Sequence, residues 1–485
     1  MKKQTRREFV KTASVAGAAL LAPSYVTAQS RSDEIRMAVC GVRGQGFSNA
    51  NQIMSIDGAS VVALCDPDKE ILNQRVAELS KDFDGAKIDG YQDYREVLDR
   101  DDIDAICIAT PNHWHCLMAI HACQAGKDVF VQKPASHTIW EGGQLVKAAE
   151  KYDRIVQVGT QNRSDVGLRP FYAELLAGEL GKVKMVRGLC YRNRSSIGKS
   201  ATPVAPPKSV DYNLWLGPAQ DEVLYRPSMH YDWHWDFNTG NGDIGNQGPH
   251  EMDLIRWAFG DESNASRVVS FGGRFAWDDA GNTPNMQFAA YEYLGIPVFF
   301  EVRNLWISPE VNASPTYRDM RVSVIIDCEH GYFKGGRGGG WTYDNDGKKM
   351  KHFPGDAGEG HFENFIKAVR SRKTSDLHAP IINGHRSACM SHMANISYRV
   401  GAEMSPGELW ERMSDDEESL DAIRRYSEQM AEWNIDVKSV PWTTGASLGF
   451  DPEKERFTGS SSLVAKANAM LHREDRAPFI VPKNV

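Results

Sequence analysis

Short apolar runs alternate with helical stretches over the first third of the chain. Residues 35–40, 60–66, 105–109, 128–131 and 155–158 are apolar segments of strand length, and 46–55, 69–83, 93–98, 113–125 and 144–151 have helical character. Strands that are apolar on both faces, separated by helices, predict a parallel sheet covered on both sides. After about residue 159 the texture changes. Residues 183–191, 267–275, 286–293, 298–305 and 320–327 are longer and alternate in polarity, which predicts a second α/β domain with an open, mostly antiparallel sheet. Residues 195–227, rich in Pro, Ser and Asn, predict a long surface excursion. Helices are expected at 361–370 and 386–401, and charged helical pieces without recognisable chemistry at 405–485. The expected boundaries are 33–160 for the first domain, 161–404 for the second and 405–485 for an extension.

The first 28 residues follow another logic. Thr5-Arg6-Arg7-Glu8-Phe9-Val10-Lys11 is a twin-arginine pattern, a mild apolar stretch covers 13–22, and Val26-Thr27-Ala28 offers small residues for cleavage. That succession reads as a Tat export signal. It predicts a periplasmic protein that meets the Tat translocase during export, anchored in the membrane if the signal stays on. No apolar run approaches the ~20 residues needed to span a bilayer.

Residues 1–28 carry a net charge of +4 and the whole chain −8, leaving −12 on the mature part. That balance argues against a nucleic-acid or anionic-membrane partner and is compatible with neutral sugars. The eight cysteines show no CxxC and no metal-ligand spacing. Cys40, Cys65 and Cys107 fall in predicted buried strands, where thiols act as small apolar groups. Neither a disulfide framework nor a metal site is expected.

The first strand runs into Gly41-Val42-Arg43-Gly44-Gln45-Gly46. The frame G-x-G-x-x-G at a strand-to-helix turn is the dinucleotide fingerprint. Gly41 and Gly46 hold its first and last places, and Arg43 occupies the middle one with Gly44 beside it. The second strand ends in Asp66, 20 residues after Gly46, where a carboxylate accepts hydrogen bonds from ribose hydroxyls. A 2′-phosphate would be repelled there, so NAD is favoured over NADP. Asp66 also suits a helix cap or turn, since Pro67-Asp68 follows. Thr110-Pro111-Asn112 closes the strand 105–109 at the carboxyl edge, where ligands of open α/β sheets lie. His113 and His115 follow on a helix start, with capping and packing as the alternative. The candidate cofactor residues are Gly41, Arg43, Gly44, Gln45, Gly46, Asp66, Thr110, Pro111, Asn112, His115 and Lys133.

Lys133-Pro134 follows the strand 128–131 at the same edge. A lysine there can bond a substrate hydroxyl and move its proton as hydride leaves carbon; a solvated surface lysine is the alternative. A second cluster spans 242–257, GDIGNQGPHEMDLIRW. His250 falls in the first turn of its helix, and a histidine near neutral pKa suits proton transfer from an alcohol. A zinc site is disfavoured, because no HExxH or Cys pair accompanies it. Tyr231-Asp232-Trp233-His234-Trp235-Asp236 precedes that helix. Its aromatic faces can stack on a sugar ring, with core packing as the alternative. Tyr231, Trp233, Asp243, Asn246 and Arg163 are the candidate substrate residues. Arg192 and Arg194 are arginines that nothing local assigns.

The stretch at 110–134, TPNHWHCLMAIHACQAGKDVFVQKP, resembles the Gfo/Idh/MocA oxidoreductases, whose corresponding strand usually ends in Glu-Lys-Pro. The motif at 242–257 is similar to their second-domain motif. Further matches at 361–365 and at Asn383-Gly384-His385 extend the resemblance from roughly residue 35 to 401. It implies a Rossmann domain, a doubly wound parallel sheet, followed by an open-sheet α/β domain, often in homo-dimers or tetramers. It also implies NAD(P)-linked oxidation or reduction of sugars and polyols, with Lys133 as catalytic lysine and His250 as catalytic histidine. Where the family often has an aspartate four residues before the histidine, this chain has Asn246, and Gln132 replaces the usual glutamate before the lysine. Acid–base work would then rest on His250 and Lys133, with Asp243 as a further acid. Some relatives use NAD to oxidise a sugar transiently at C3, so that a glycosidic substituent is eliminated before hydride returns. That glycosidase needs no cofactor exchange and suits an exported protein. A sugar-binding protein that retains nucleotide without activity is a third reading, against which Lys133 and His250 argue.

Overall fold

The structure is a computed structural model that describes residues 34–261 and 263–485. The export signal expected at residues 1–28 lies outside the described residues. No helix among those described is long and apolar enough to cross a membrane.

The first sheet has six strands: β1 (Ile35–Cys40), β2 (Ala59–Cys65), β3 (Asp89–Tyr91), β4 (Ala105–Ile108), β5 (Asp128–Val131) and β6 (Val156–Val158). Their order is β3-β2-β1-β4-β5-β6, and every pairing is parallel. The order reverses between β1 and β4, the switch point at which the carboxyl ends of an open α/β sheet splay apart to admit a ligand. β4 and β5 are buried along their whole length, as the apolar runs Ala105–Ile108 and 129–131 require.

Local chemistry sets the helix boundaries. Asp68 caps Lys69–Asp82 and Asp93 caps Tyr94–Leu98. Thr138 and Glu141 form a capping box, so the helix expected at 144–151 starts earlier and spans Ile139–Lys151. A 3-10 turn, Asn112–Trp114, precedes the helix His115–Gln124.

The second sheet contains twelve strands. β7 (Val183–Tyr191), β8 (Arg267–Gly273), β9 (Met286–Tyr293), β10 (Ile296–Arg303) and β11 (Val322–Cys328) form its centre. β12 (Gly331–Gly336), β13 (Gly339–Tyr343) and β14 (Lys349–Pro354) extend one side. β15 (Ala402–Met404), β16 (Trp442–Thr444), β17 (Leu448–Asp451) and β18 (Arg456–Thr458) extend the other. All pairings are antiparallel except β7 with β10.

Helices Gly248–Trp257 and Ile381–Arg399 cover one face, where Met252, Ile255 and Met393 join the core with Phe300 and Val324. Helix Glu417–Glu432 contributes Tyr426 and Met430 to another core with Phe288 and Trp442. Residues 405–485 therefore help build the second sheet and its cover. The excursion at 195–227 is mostly irregular, yet it closes a small apolar cluster of Val210, Trp215, Leu216 and Leu224. All eight cysteines are buried and unpaired.

Candidate active site

A cleft of about 760 Å³ lies over the carboxyl ends of β1, β4 and β5, walled on the far side by the start of helix Gly248–Trp257. Its volume is within the range of small-molecule and cofactor sites.

At one end the chain leaves β1 through Gly41, whose φ of +82° is the left-handed conformation that glycine adopts without strain. A Cβ on Gly41 would lie 2.7 Å from the backbone of Ala109, and one on Gly46 only 1.7 Å from the Gly41 carbonyl oxygen. These two glycines let the turn and helix Gly44–Met54 close onto the sheet. A Cβ on Gly44 would meet nothing within 4 Å. That open space, beside the helix's unpaired N–H groups, is where an anionic group can approach the backbone.

Asp66 lines the same end of the cleft and accepts from the N–H of Val42 and of Asp68, both at 2.9 Å. Burial pushes its carboxyl up, against the downward pull of those two bonds. The helix cap belongs to Asp68, which also holds the Arg43 guanidinium at 2.6 Å. Asp66 thus combines a turn-fixing role with a place on the cleft wall. Thr110, Pro111, Asn112, Gln45 and His115 line the cleft too. The Thr110 hydroxyl and the Asn112 amide nitrogen are buried with no hydrogen-bond partner among the described residues, an arrangement that a bound ligand would satisfy. The glycine cradle, Asp66 and these orphaned polar atoms fit a dinucleotide.

His115 requires a correction. Its ring nitrogens lie 2.7 Å from the Pro134 carbonyl and 2.8 Å from that of Thr110. It ties the two site turns together and has no ring nitrogen left over for a cofactor. His113 is placed likewise between the carbonyls of Thr239 and Trp215, and burial drives it down to about 3.

At the other end, Lys133 Nζ donates to the Asn246 carbonyl at 2.6 Å and to Asn246 Oδ1 at 3.1 Å. The Asn246 amide donates in turn to Asp243 Oδ1 at 3.1 Å. Asp243 is 1% exposed and is held by both arms of Arg194 and by Asn304. Burial alone would raise its carboxyl; the Arg194 guanidinium and the two amides hold it below the ordinary value. Asp243 therefore does not line the cleft, contrary to expectation. It lies beneath, orienting Asn246 and Arg194, and reaches Lys133 through Asn246.

Burial pulls Lys133 down to about 8, opposed by Asp243 and Glu251. His250 faces the same space. Burial, then Lys133, Arg337 and Arg192, push it well below its ordinary value, so it is a neutral imidazole. Its Nδ1 is buried with no hydrogen-bond partner among the described residues. The pair is thus an ammonium of lowered pKa beside a neutral imidazole, and both can exchange a proton with a hydroxyl between them.

Tyr231 and Trp233 line the cleft as expected. Trp233 stacks on His234, and the Arg194 guanidinium donates to the Tyr231 hydroxyl at 2.9 Å. Arg163 is a second correction. It is 3% exposed, lies away from the cleft and is clamped by Asp253 and Asp261. Arg192, Arg194 and Gln247 do reach the cleft, as do Trp114, Trp215, His230 and Arg337. Arg337 was not among the expected residues; the sequence signal that points to it is a lone arginine inside a run of five glycines, Gly335 to Gly340. Outside the cleft, His385, Cys389 and Glu455 bring ligand atoms within 4.8 Å of one another, a cluster closed by the 2.7 Å His385–Glu455 contact.

A parallel six-stranded domain with a glycine-turn cleft, followed by an open mixed sheet, defines a two-domain α/β oxidoreductase architecture. The chain belongs to the Gfo/Idh/MocA oxidoreductase family. The model of its NAD-binding Rossmann fold matches residues 35–160, and that of the C-terminal alpha/beta domain matches residues 178–292.

Among curated relatives, a glycosyl hydrolase family 109 protein of Shewanella sp. (strain W3-18-1) is 31% identical over 173 residues, 30% of this chain and 37% of that protein. The chain thus spans about a third of the length of the curated relatives it matches. Among solved structures, the WlbA dehydrogenase of Bordetella pertussis, crystallised with NADH and UDP-GlcNAcA, aligns with a TM-score of 0.55. It is 19% identical, over 74% of this chain and 96% of its own. GenD2 of gentamicin A biosynthesis, in complex with NAD, aligns with a TM-score of 0.54 at 17% identity, over 78% and 96%. At these identities the likeness is one of fold.

Proposed function

We propose that the protein is an NAD-dependent oxidoreductase acting on a hydroxyl-bearing carbon of a sugar, polyol or glycoside. The observation that carries this is the placement of Lys133 and His250 in one cleft with the Gly41–Gly46 turn and Asp66. Gly44 and the helix start would receive the pyrophosphate, and Asp66 the adenosine ribose. When bound, the nicotinamide supplies the hydride acceptor or donor. Lys133 and His250 bind the substrate hydroxyl, hold it toward the cofactor end and take or return its proton. Asn246 and Asp243 keep the lysine aimed. Tyr231 and Trp233 supply faces for the ring.

The names of the curated relatives, glycosyl hydrolases of family 109, favour a second reading on the same site. There the oxidation at C3 is transient. One of the two bases removes the acidified proton at C2, the substituent at C1 leaves with its electron pair, water adds, and the carbonyl is reduced again. The twin-arginine pattern at 5–11 supports export to the periplasm, where a nucleotide retained through turnover would serve this chemistry best.

Protein purified without added nucleotide is expected to release about one NAD(H) per chain on denaturation, measured by chromatography. Absence of nucleotide, together with no binding of added NAD, would leave the fold and remove the redox function. Asp66→Ala is expected to weaken NAD binding by roughly 10- to 100-fold, the worth of hydrogen bonds to a charged group. An unchanged dissociation constant by calorimetry would take Asp66 out of the nucleotide site.

A further inference from the structure

The mature chain is acidic overall, yet the substrate end of the cleft is cationic. Asp66 is the only carboxylate among the described residues that line the cleft, and it sits at the nucleotide end. Two of the lining arginines are neutralised, Arg43 by Asp68 and Arg194 by Asp243. Arg192 and Arg337 are not tied to any carboxylate by an ion pair among the described residues. Arg192 bonds the neutral Gln247 side chain at 2.6 Å. Both lie close enough to His250 to push its pKa down, so they stand on the proton-transfer side, together with Lys133.

Both arginines are presented by fixed backbone. Arg192 directly follows β7, and its carbonyl accepts from the Asn304 amide at 3.0 Å. Arg337 sits in the turn between β12 and β13. The two glycines after it are required by backbone conformation, with φ of +91° at Gly338 and +93° at Gly339, and Gly339 by packing as well, since a Cβ there would lie 1.9 Å from the Phe353 carbonyl oxygen. The turn is pinned from below by Asp165, fully buried, which accepts from the N–H of Gly338 at 3.2 Å and of Ala357 at 2.8 Å. The loop is stripped of every side chain but one, and that one reaches the cleft.

We infer that the substrate is an acidic sugar, whose carboxylate or sulfate ester is held by Arg192 and Arg337 while the reacting hydroxyl lies against Lys133 and His250. This rests on the proposed function and narrows it. Guanidinium groups match carboxylate and sulfate oxygens with paired N–H donors, and charge-assisted bonds of this kind are the strong ones.

The test is calorimetric titration of the nucleotide-loaded, full-length protein. D-glucuronate and D-galacturonate are compared with D-glucose and D-galactose, and D-glucose 6-sulfate is a further arm that separates the two anions. The acidic sugars are expected to bind at least about tenfold tighter than their neutral counterparts, with the preference shrinking at high salt. Arg337→Gln and Arg192→Gln should each reduce that preference by about tenfold, with Arg337→Lys restoring part of it. Equal binding, a preference for the neutral sugars, or binding of none of them overturns the inference. Reduction of NAD by a neutral sugar at full rate would leave the oxidoreductase reading standing without it. Tight acid binding with no redox change on any sugar would do the reverse.

Discussion

Lys133→Met is expected to lower turnover by about 10²- to 10⁴-fold, the range for removing a positioned acid–base group, while the protein keeps its nucleotide. Lys133 touches Asn246 and the cleft but not the glycine turn or Asp66, so loss of its ammonium leaves the pyrophosphate and ribose ends intact. The wild-type pH profile should carry the same signature. An oxidation that uses Lys133 as base needs the neutral amine, and burial pulls this lysine down to about 8. The rate of sugar oxidation should therefore rise through about pH 8 and level off above it. His250, already neutral at that pH, would give no limb there. Kinetics of the two proteins between pH 6 and 10, with NAD content measured alongside, separate the roles. Full turnover by the lysine variant takes it out of the mechanism. A flat profile with a strongly impaired variant leaves Lys133 as a hydroxyl-binding cation and gives the proton to His250.

Asn246 explains why a departure from the family pattern is compatible with this chemistry. An asparagine cannot exchange a proton, but its carbonyl oxygens accept from Lys133 and its amide donates to Asp243. The negative charge that an aspartate would place beside the lysine is set one residue deeper instead. There Arg194 compensates it, and it cannot lock the lysine in a direct ion pair. That leaves Lys133 with a pKa low enough to act as a base.

Five strands of the first sheet were legible because each is a mostly apolar run ended by a turn; β3, Asp89-Gly90-Tyr91, carries no such run and was not expected. β1 and β5 fall on the expected residues, and so do β7 and β9. The glycine turn was legible because steric need leaves glycine no substitute at positions 41 and 46. Helix starts were displaced where a cap decided them, as Thr138 and Glu141 did. The strands after residue 440 are three or four residues long, too short for periodicity to register; β16 and β17 pair along β8, and β18 pairs with β17 in turn. Side-chain destinations were the least legible. Arg337 lies some 87 residues beyond His250 in sequence, and only the folded hairpin brings it into the cleft. Asp243 and Asn246 belong to one motif, yet one lines the cleft and the other lies under it.

Arg163 makes that difference measurable. A substrate-binding arginine and a structural one predict opposite behaviour on removal. Here the guanidinium is buried against Trp257 at 4.6 Å. It donates to both Asp253 oxygens, at 2.6 and 2.9 Å, and to both Asp261 oxygens, at 2.5 and 2.6 Å. Asp253 is fully buried and also accepts from the Ser387 hydroxyl at 2.9 Å. Arg163→Met would strand the Asp253 carboxylate with no access to water and leave Asp261 only its longer, 3.7 Å pair with Arg256. Breaking a buried pair from one side costs about 3–5 kcal/mol, so the variant is expected to melt well below the wild type. Its folded fraction should retain the wild-type KM, since the side chain does not reach the cleft. Neutralising the stranded partner in the double variant Arg163→Met, Asp253→Asn should recover part of the loss, because the penalty comes from the unpaired charge and not from the missing contact. A raised KM at unchanged melting temperature would restore Arg163 to the substrate site. The expected pairing of low stability with normal KM would place it in the frame that holds helix Gly248–Trp257, and with it His250, against the cleft.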